Sequence, residues 1–262
     1  MIRALYTAAT GLTAQETNID VISNNLANVN TTGYKKSRAD FQDLMYQYAI
    51  EPGAATSSTT TNPSGVQIGL GVKTASVQKV FTQGDMTSTG NQLDVAIEGD
   101  GFFQVTKPDG TIAYTRAGSL RINETGALVT PDGFALAPAI TIPAGSGGVT
   151  IGQDGTVTVK TPGTAAPTNV GQLTAVTFPN NAGLRAVGQS LYEETLASGT
   201  PAAGIFNQQG VGRLNQGFLE SSNVSVVEQV VSMITGQRAY EASSKAITTA
   251  DEMMSQAINL KR

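Results

Sequence analysis

The 262-residue chain contains no cysteine and no histidine, and these two absences exclude more chemistry than any motif present. Without cysteine there is no disulfide framework, no thiolate nucleophile and no sulfur-ligated metal. Without histidine, Ser-His and Cys-His catalysis and most zinc chemistry are excluded as well. Carboxylates, Lys, Tyr and Ser/Thr remain as candidate groups. Charge is also scarce, at 14% of residues against roughly 25% in ordinary soluble domains. With 29 glycines and abundant Thr, Ser, Asn and Gln, the surface is polar but repels copies of itself only weakly, so it tolerates being covered. The net charge is −4 and no basic stripe exists to displace phosphate counterions, so nucleic acid is not an expected partner. The short cluster Lys35, Lys36, Arg38 is expected to be solvated. No run of about eighteen apolar residues exists, so membrane insertion is not expected. Thr10, Thr13, Gln15, Glu16, Asn18 and Asp20 interrupt any signal-peptide core within residues 2–22.

What is present is concentrated at the two ends. Leu5, Leu12, Ile19 and Leu26 recur every seven residues, with Ala8, Ile22 and Val29 three places after three of them, which is the apolar stripe of a coiled-coil helix. Near the C-terminus Val226, Met233, Tyr240, Ile247 and Met254 also recur every seven, and Gly236, Ser243, Ala250 and Ala257 follow the last four by three. Small residues there favour close approach of a neighbouring helix. Water cannot satisfy four heptads of one-sided apolar surface, so each helix requires a partner, in this chain or in another. Asn24 and Asn25 are expected to bond across a dry seam between subunits, while Asn28 and Asn30 mark a fraying end. Gly11 and Gly236 each cost about 1 kcal/mol relative to Ala in an isolated helix, so the termini are expected to order on association.

Between the ends the pattern is β. Tyr34–Tyr48 reads as a weaker helix, from Phe41, Leu44, Met45 and Tyr48 at three- and four-residue spacing. Ala54–Pro63 is uncharged and low in complexity, a surface linker or hairpin tip. Val66, Ile68 and Leu70 alternate, and Val72–Phe81 gives a second strand. Gly69-Leu70-Gly71 resembles a phosphate-loop fragment but no helix start follows it. From residue 91 to about 204, turn pairs such as Asp109-Gly110, Thr125-Gly126, Asp132-Gly133 and Asp154-Gly155 separate short strands. Thr161–Asn169 is a loop, and Ser221-Ser222-Asn223 marks the start of the last helix.

These readings give an α+β chain in which coiled-coil-like N- and C-terminal helices pack together. Between them lies an inserted all-β domain, an antiparallel sandwich or partly closed barrel, with an extended hairpin-like linker. The expected division is 1–36 with 220–262 as a helical core and 37–90 with 205–219 as a connecting region that includes an exposed hairpin at 51–67. Residues 91–204 form an outer β domain. The candidate interface for self-assembly is Leu5, Leu12, Ile19, Ile22, Asn24, Asn25, Leu26, Val29, Val226, Met233, Tyr240, Ile247 and Met254. A rival reading takes Asp94, Glu98, Asp100 and Asp109, all within sixteen residues, as carboxylates for acid/base hydrolysis of a glycan or for calcium. A third is a monomeric binding module with helices folded in isolation.

Three long segments carry a resemblance. SNNLANVNTTGYKKSRADF (Ser23–Phe41) resembles the N-terminal signature of the bacterial flagellar rod and hook axial proteins. Ser222–Leu260 is similar to their C-terminal signature, and Leu93–Pro143 to their β domain. Within that family the chain length and the insert Met45–Lys73 resemble the distal rod members; hook members are longer and most proximal rod members shorter. Gly236 departs from the family pattern, which usually carries an apolar residue there. The resemblance implies a non-enzymatic subunit without cofactor or metal, stacked helically in many copies into a rigid hollow shaft that crosses the periplasm and transmits torque. Its implied partners are copies of itself, the proximal rod and hook proteins, the surrounding rings and the type III export apparatus. On this resemblance Ala54–Pro63 with its flanking strands bridges adjacent protofilaments and stiffens rod relative to hook.

Overall fold

The computed structural model describes residues 2–54, 62–161, 166–208 and 210–259. Part of the low-complexity linker (55–61) and part of the Thr161–Asn169 loop (162–165) therefore lie outside the described residues, as do 260–262. The chain divides into two compact units.

The first unit holds residues 1–26, 37–78 and 225–262. Helix α1 spans Ile2–Ala27 and helix α2 spans Val226–Asn259. A Cβ placed on Gly11 would lie 3.6 Å from Ser243 Oγ, and one on Gly236 would lie 3.5 Å from Ile19 Cγ1. Asn25 Nδ2 donates to Gln229 Oε1 at 3.3 Å. Residue numbers rise along α1 as they fall along α2, so the two helices pack antiparallel. The same unit carries two narrow ribbons: β1 (Ser37–Asp43) pairs with β4 (Val72–Lys79), and β2 (Tyr46–Ile50) with β3 (Val66–Gly69). The helix expected over Tyr34–Tyr48 is therefore absent. Its apolar residues also suit strands, and pairing with the β-branched runs at Val66–Ile68 and Val72–Val77 satisfies the backbone better than a short, weakly patterned helix with no partner for its apolar face. Every residue of β2 and β3 is exposed. Gly69-Leu70-Gly71 is a corner rather than a phosphate loop. Gly71 has φ +115°, and a Cβ there would lie 2.2 Å from Thr10 Oγ1, so only glycine admits this approach of strand to helix.

The second unit, residues 27–36 and 79–224, is antiparallel β. Its largest sheet runs Arg185–Gly188, Leu191–Glu193, Ile112–Thr115, Phe102–Thr106, Ala135–Ala137, Leu128–Val129 and Arg121–Ile122. Thr174–Thr177 also pairs with Phe102–Thr106 and carries Ala202–Ile205 on its other side. A three-stranded sheet of Val149–Ile151, Thr156–Val159 and Thr168–Gln172 shares its core: Val149, Ile151, Val157 and Val159 join Phe103, Val105, Leu136 and Leu191 in one buried cluster. The arrangement is sandwich-like, and no sheet among the described residues closes into the barrel that was the alternative. Alternation sorts the faces. Phe103 and Val105 point into that cluster, while Phe102 joins Tyr114, Val176, Phe178 and Tyr192 in a second cluster of edge-to-face rings. The expected Asp-Gly turns are present, with φ of +80°, +88° and +86° at Gly110, Gly133 and Gly155. Asp109 Oδ1 accepts from Thr111 N and Oγ1, and Asp154 accepts likewise from Thr156.

The start of α2 lies later than expected. Ser225 precedes it, and its carbonyl accepts from Gln229 N at 3.0 Å. Asn223 is occupied elsewhere, accepting from Lys36 N and donating to Val80 O and Thr82 O.

Candidate self-assembly interface

In α2 the buried residues are Gln229, Gly236 and Ala250, with half-buried Ser243 completing a line of sevens. This line of small or polar residues faces α1. Gly236, the departure from the family pattern, brings Gln15, Asn18 and Ile19 within 3.7 Å of where its Cβ would stand. The large heptad residues flank the line: Met233, Ile247 and Met254 are half-buried, while Val226 and Tyr240 are exposed. On α1, Ile22 is buried and Leu5, Leu12, Ile19 and Leu26 are half-buried. Val29 falls past the helix end, in the turn that belongs to the second unit. Asn24 is exposed. Asn25 is buried and bonded inside the chain, donating to Ser37 O and accepting from Ser37 N, each at 2.8 Å, in addition to its bond with Gln229. The helix pair thus closes on its small residues and leaves apolar surface beside the seam.

Sequence reasoning missed a second stripe. Val227, Val230, Val231 and Ile234 are exposed at the start of α2, Val227 at 74%. The run of four valines in VVEQVV was the available signal, but the heptad count assigned only Val226. Ile2, Tyr6, Met253 and Ile258 are likewise exposed.

In the second unit the feature least expected is a buried ion cluster. Lys35, expected to be solvated, is fully buried, and Lys35 Nζ donates to Glu220 Oε1 at 2.5 Å and to Thr82 O at 2.8 Å. Arg116 Nε donates to Glu220 Oε2 at 2.9 Å, and its Nη1 donates to Gly99 O and Gly101 O. Gly84 N–H donates to Glu220 Oε1 at 3.0 Å. Gly33 N–H donates to Glu220 O, with Gly33 at φ +68° and pressed against Ala117. Burial alone would lift the Glu220 carboxyl, but the charges of Arg116 and Lys35 and their hydrogen bonds outweigh it and hold the carboxyl low. Lys35 is also lowered, by burial and then by repulsion from Arg116, which together exceed the pull of Glu220. Two cations share one anion, which accounts for this asymmetry. Of the other two cluster residues, Arg38 is exposed beside Asp40 and Lys36 is half-buried.

Three of the four acids of the hydrolase reading are held by partners other than one another, and Asp100 is exposed. Asp94 is buried and accepts from Thr89 and Asn91; Glu98 accepts a fork from Arg213 plus Asn215; Asp109 is held by Thr111. Hydrogen bonds, from Arg213 and from Thr111 respectively, keep the Glu98 and Asp109 carboxyls low. A groove of about 690 Å³ runs past Asp109, Tyr114, Glu193 and Glu194. Glu193 is ion-paired with both Lys107 and Arg185, and it too is held low. A hydrolytic general acid requires the opposite shift. Among the described residues no group of three or more acids could hold a metal, and no helix is long and apolar enough to cross a membrane.

Antiparallel terminal helices with an apolar flank bracket an inserted β unit, and the sequence comparisons place a chain of this organisation in a known class, the axial proteins of the bacterial flagellum. Residues 5–35 match the flagella basal body rod protein model. Residues 96–159 match the flagellar hook protein FlgE/F/G D1 domain, and 215–260 the flagellar basal body rod FlgEFG protein C-terminal model. The chain is 50% identical to the flagellar basal-body rod protein FlgG of Borreliella burgdorferi, covering 100% of both chains. It is 49% identical to that of Buchnera aphidicola subsp. Acyrthosiphon pisum over 97% of this chain and 98% of the relative, and 42% identical to that of Bacillus subtilis over the whole of both. The chain belongs to this family: it is a structural subunit of the flagellar basal-body rod.

Proposed function

We propose that the chain builds the distal part of the rod, polymerising helically through α1 and α2 into a stiff hollow shaft that carries torque to the hook without any catalysis. The supporting observation is the apolar flank of the helix pair, where large heptad side chains lie beside a seam already closed by small ones. Close-packed interdigitated side chains cannot slide without losing contacts, so a tube built from such flanks is rigid. Ten of the thirteen residues of the candidate interface keep this role in the proposal; buried Ile22 packs inside the chain, Asn25 ties α1 to α2 and Ser37, and Val29 lies beyond the end of α1. The neighbours are other axial proteins at either end and the surrounding rings, the setting is the periplasm, and the route is flagellar type III export. Electron microscopy of the purified full chain at high concentration, with and without seeds of rod fragments, tests the reading. Straight tubes are expected; monomers under every condition would overturn it.

A further inference from the structure

The β unit holds a second cavity, of about 270 Å³, with Thr115, Thr130 and Leu191 buried at its floor and Asp132 and Gln189 exposed at its mouth. Its rim is the turn between the strands Arg185–Gly188 and Leu191–Glu193, where Gln189 and Ser190 have φ of +54° and +56°. A two-residue hairpin turn of this hand is ordinarily Asn-Gly or Asp-Gly, because a side chain at positive φ crowds its own backbone. Among the described residues every other positive φ belongs to glycine or to Asn207. Buried Thr115 holds the strained turn in place, its Oγ1 donating to Ser190 O at 2.9 Å. Strain that the surrounding structure maintains marks a functional position, since folding alone favours glycine there.

The polar groups around this cavity are left open. Thr130 is only 6% exposed; its Oγ1 accepts from Phe134 N at 3.2 Å, but its own O–H finds no acceptor among the described residues. The side chains of Thr32, Ser119, Asp132 and Gln189 make no hydrogen bond among the described residues either. No lysine or arginine lines the cavity, so the Asp132 carboxylate repels an anion there, and a single carboxylate is too few ligands for a metal ion. Hydroxyls, an amide and one carboxylate offer donors and acceptors together over the apolar side chains of Leu191 and Pro131. That combination complements a ring that carries many hydroxyls and has apolar C–H faces. We propose that the cavity binds a neutral sugar, one pyranose ring seated between the Gln189-Ser190 turn and Thr130. Sugar hydroxyls donate to Asp132 and accept from Thr130 and Gln189. The volume admits one ring, so a longer glycan enters by a single residue. Every group involved belongs to the β unit of one chain, and the site requires neither polymerisation nor catalysis.

Isotope-labelled full-length chain, titrated with glucose, N-acetylglucosamine, cellotetraose and chitotetraose, tests the site through the amide resonances of Asp132, Gln189 and Ser190. Saturable shifts at these amides are expected for at least one sugar, with a dissociation constant on the order of 1 mM. A tetramer that binds severalfold tighter than its monomer assigns the ligand to a glycan chain, and equal affinity assigns it to a free sugar; both uphold the site. Asp132→Ala is expected to weaken binding about tenfold. Gln189→Asn combined with Ser190→Gly relieves the turn, so it is expected to raise the melting temperature while weakening binding by a similar factor. Dispersed spectra of the variants check that each folds. No saturable shift with any of the four sugars up to about 50 mM, or shifts that persist unchanged in both variants, would overturn the proposal.

Discussion

The two units meet the same requirement, burial of apolar surface, in opposite ways. In the β unit Val95, Ile97, Phe103, Val105, Leu120 and Val157 are sealed from solvent, and even the charged residues at its centre find partners within the unit. In the helical unit the buried set is little more than Ala14, Ile22, Asn25, Gln229, Gly236 and Ala250, while valines, isoleucines and tyrosines face outward. Each fully buried large apolar side chain contributes about 1.5–3 kcal/mol. The β unit gains this within one chain, whereas the helical unit leaves much of its apolar surface in solvent. One region hides its apolar side chains and the other displays them.

The sharpest way to break this comparison is to damage the self-sufficient region. Glu220→Gln leaves two buried cations without an anion and is expected to cost about 3–5 kcal/mol in urea unfolding. Lys35→Met removes the surplus cation and is expected to cost less, about 1–2 kcal/mol, mainly from the lost bond to Thr82 O. Equal losses would show that the cluster is not organised by its single anion. A milder probe is pH. Because the folded Glu220 carboxyl lies below its ordinary value, its contribution is present above about pH 4.3 and is lost as pH falls through the depressed value. Thermal melts of the β unit should therefore weaken on the acid side of pH 4, and a flat profile there would remove the ion cluster from the account.

On the helical side, deletion of Glu51–Gln67 is expected to leave growth intact and to yield bent or flexible polymers in micrographs. An unchanged straight, rigid polymer would count against the bridging role of the insert. The smallest effect is spectroscopic. Dilute full-length chain should show less helix than the 26 and 34 residues of α1 and α2 would give together, with the remainder appearing on polymerisation. Full helicity at dilution would erase the distinction between the two units.

Periodicity over several heptads made both helices legible, and positive φ at glycine made the Asp-Gly turns legible, because each signal is local. Tyr34–Tyr48 was misread because fifteen residues of mixed spacing suit either element, and the pairing partners that decide it lie some twenty residues or more downstream. The burial of Lys35 had no local signal at all: its anion is 185 positions away, and a basic triplet reads as solvated by default. The place of Ser225 as the residue before α2 was hidden by Asn223, whose side chain is claimed by Lys36, Val80 and Thr82. Of the candidate interface, the heptad positions were readable, but which of them face α1 depended on Gly236 and Ala250 being small enough to set the approach.

Lys35 stands eight residues after the end of α1, and Glu220 six residues before the start of α2. The outgoing and returning strands of the chain are therefore riveted to each other, and to Arg116, by one dry knot. Where the chain enters the β unit and where it leaves it, the two segments are pinned at one shared point, so neither can be drawn out of that unit without breaking the same buried cluster.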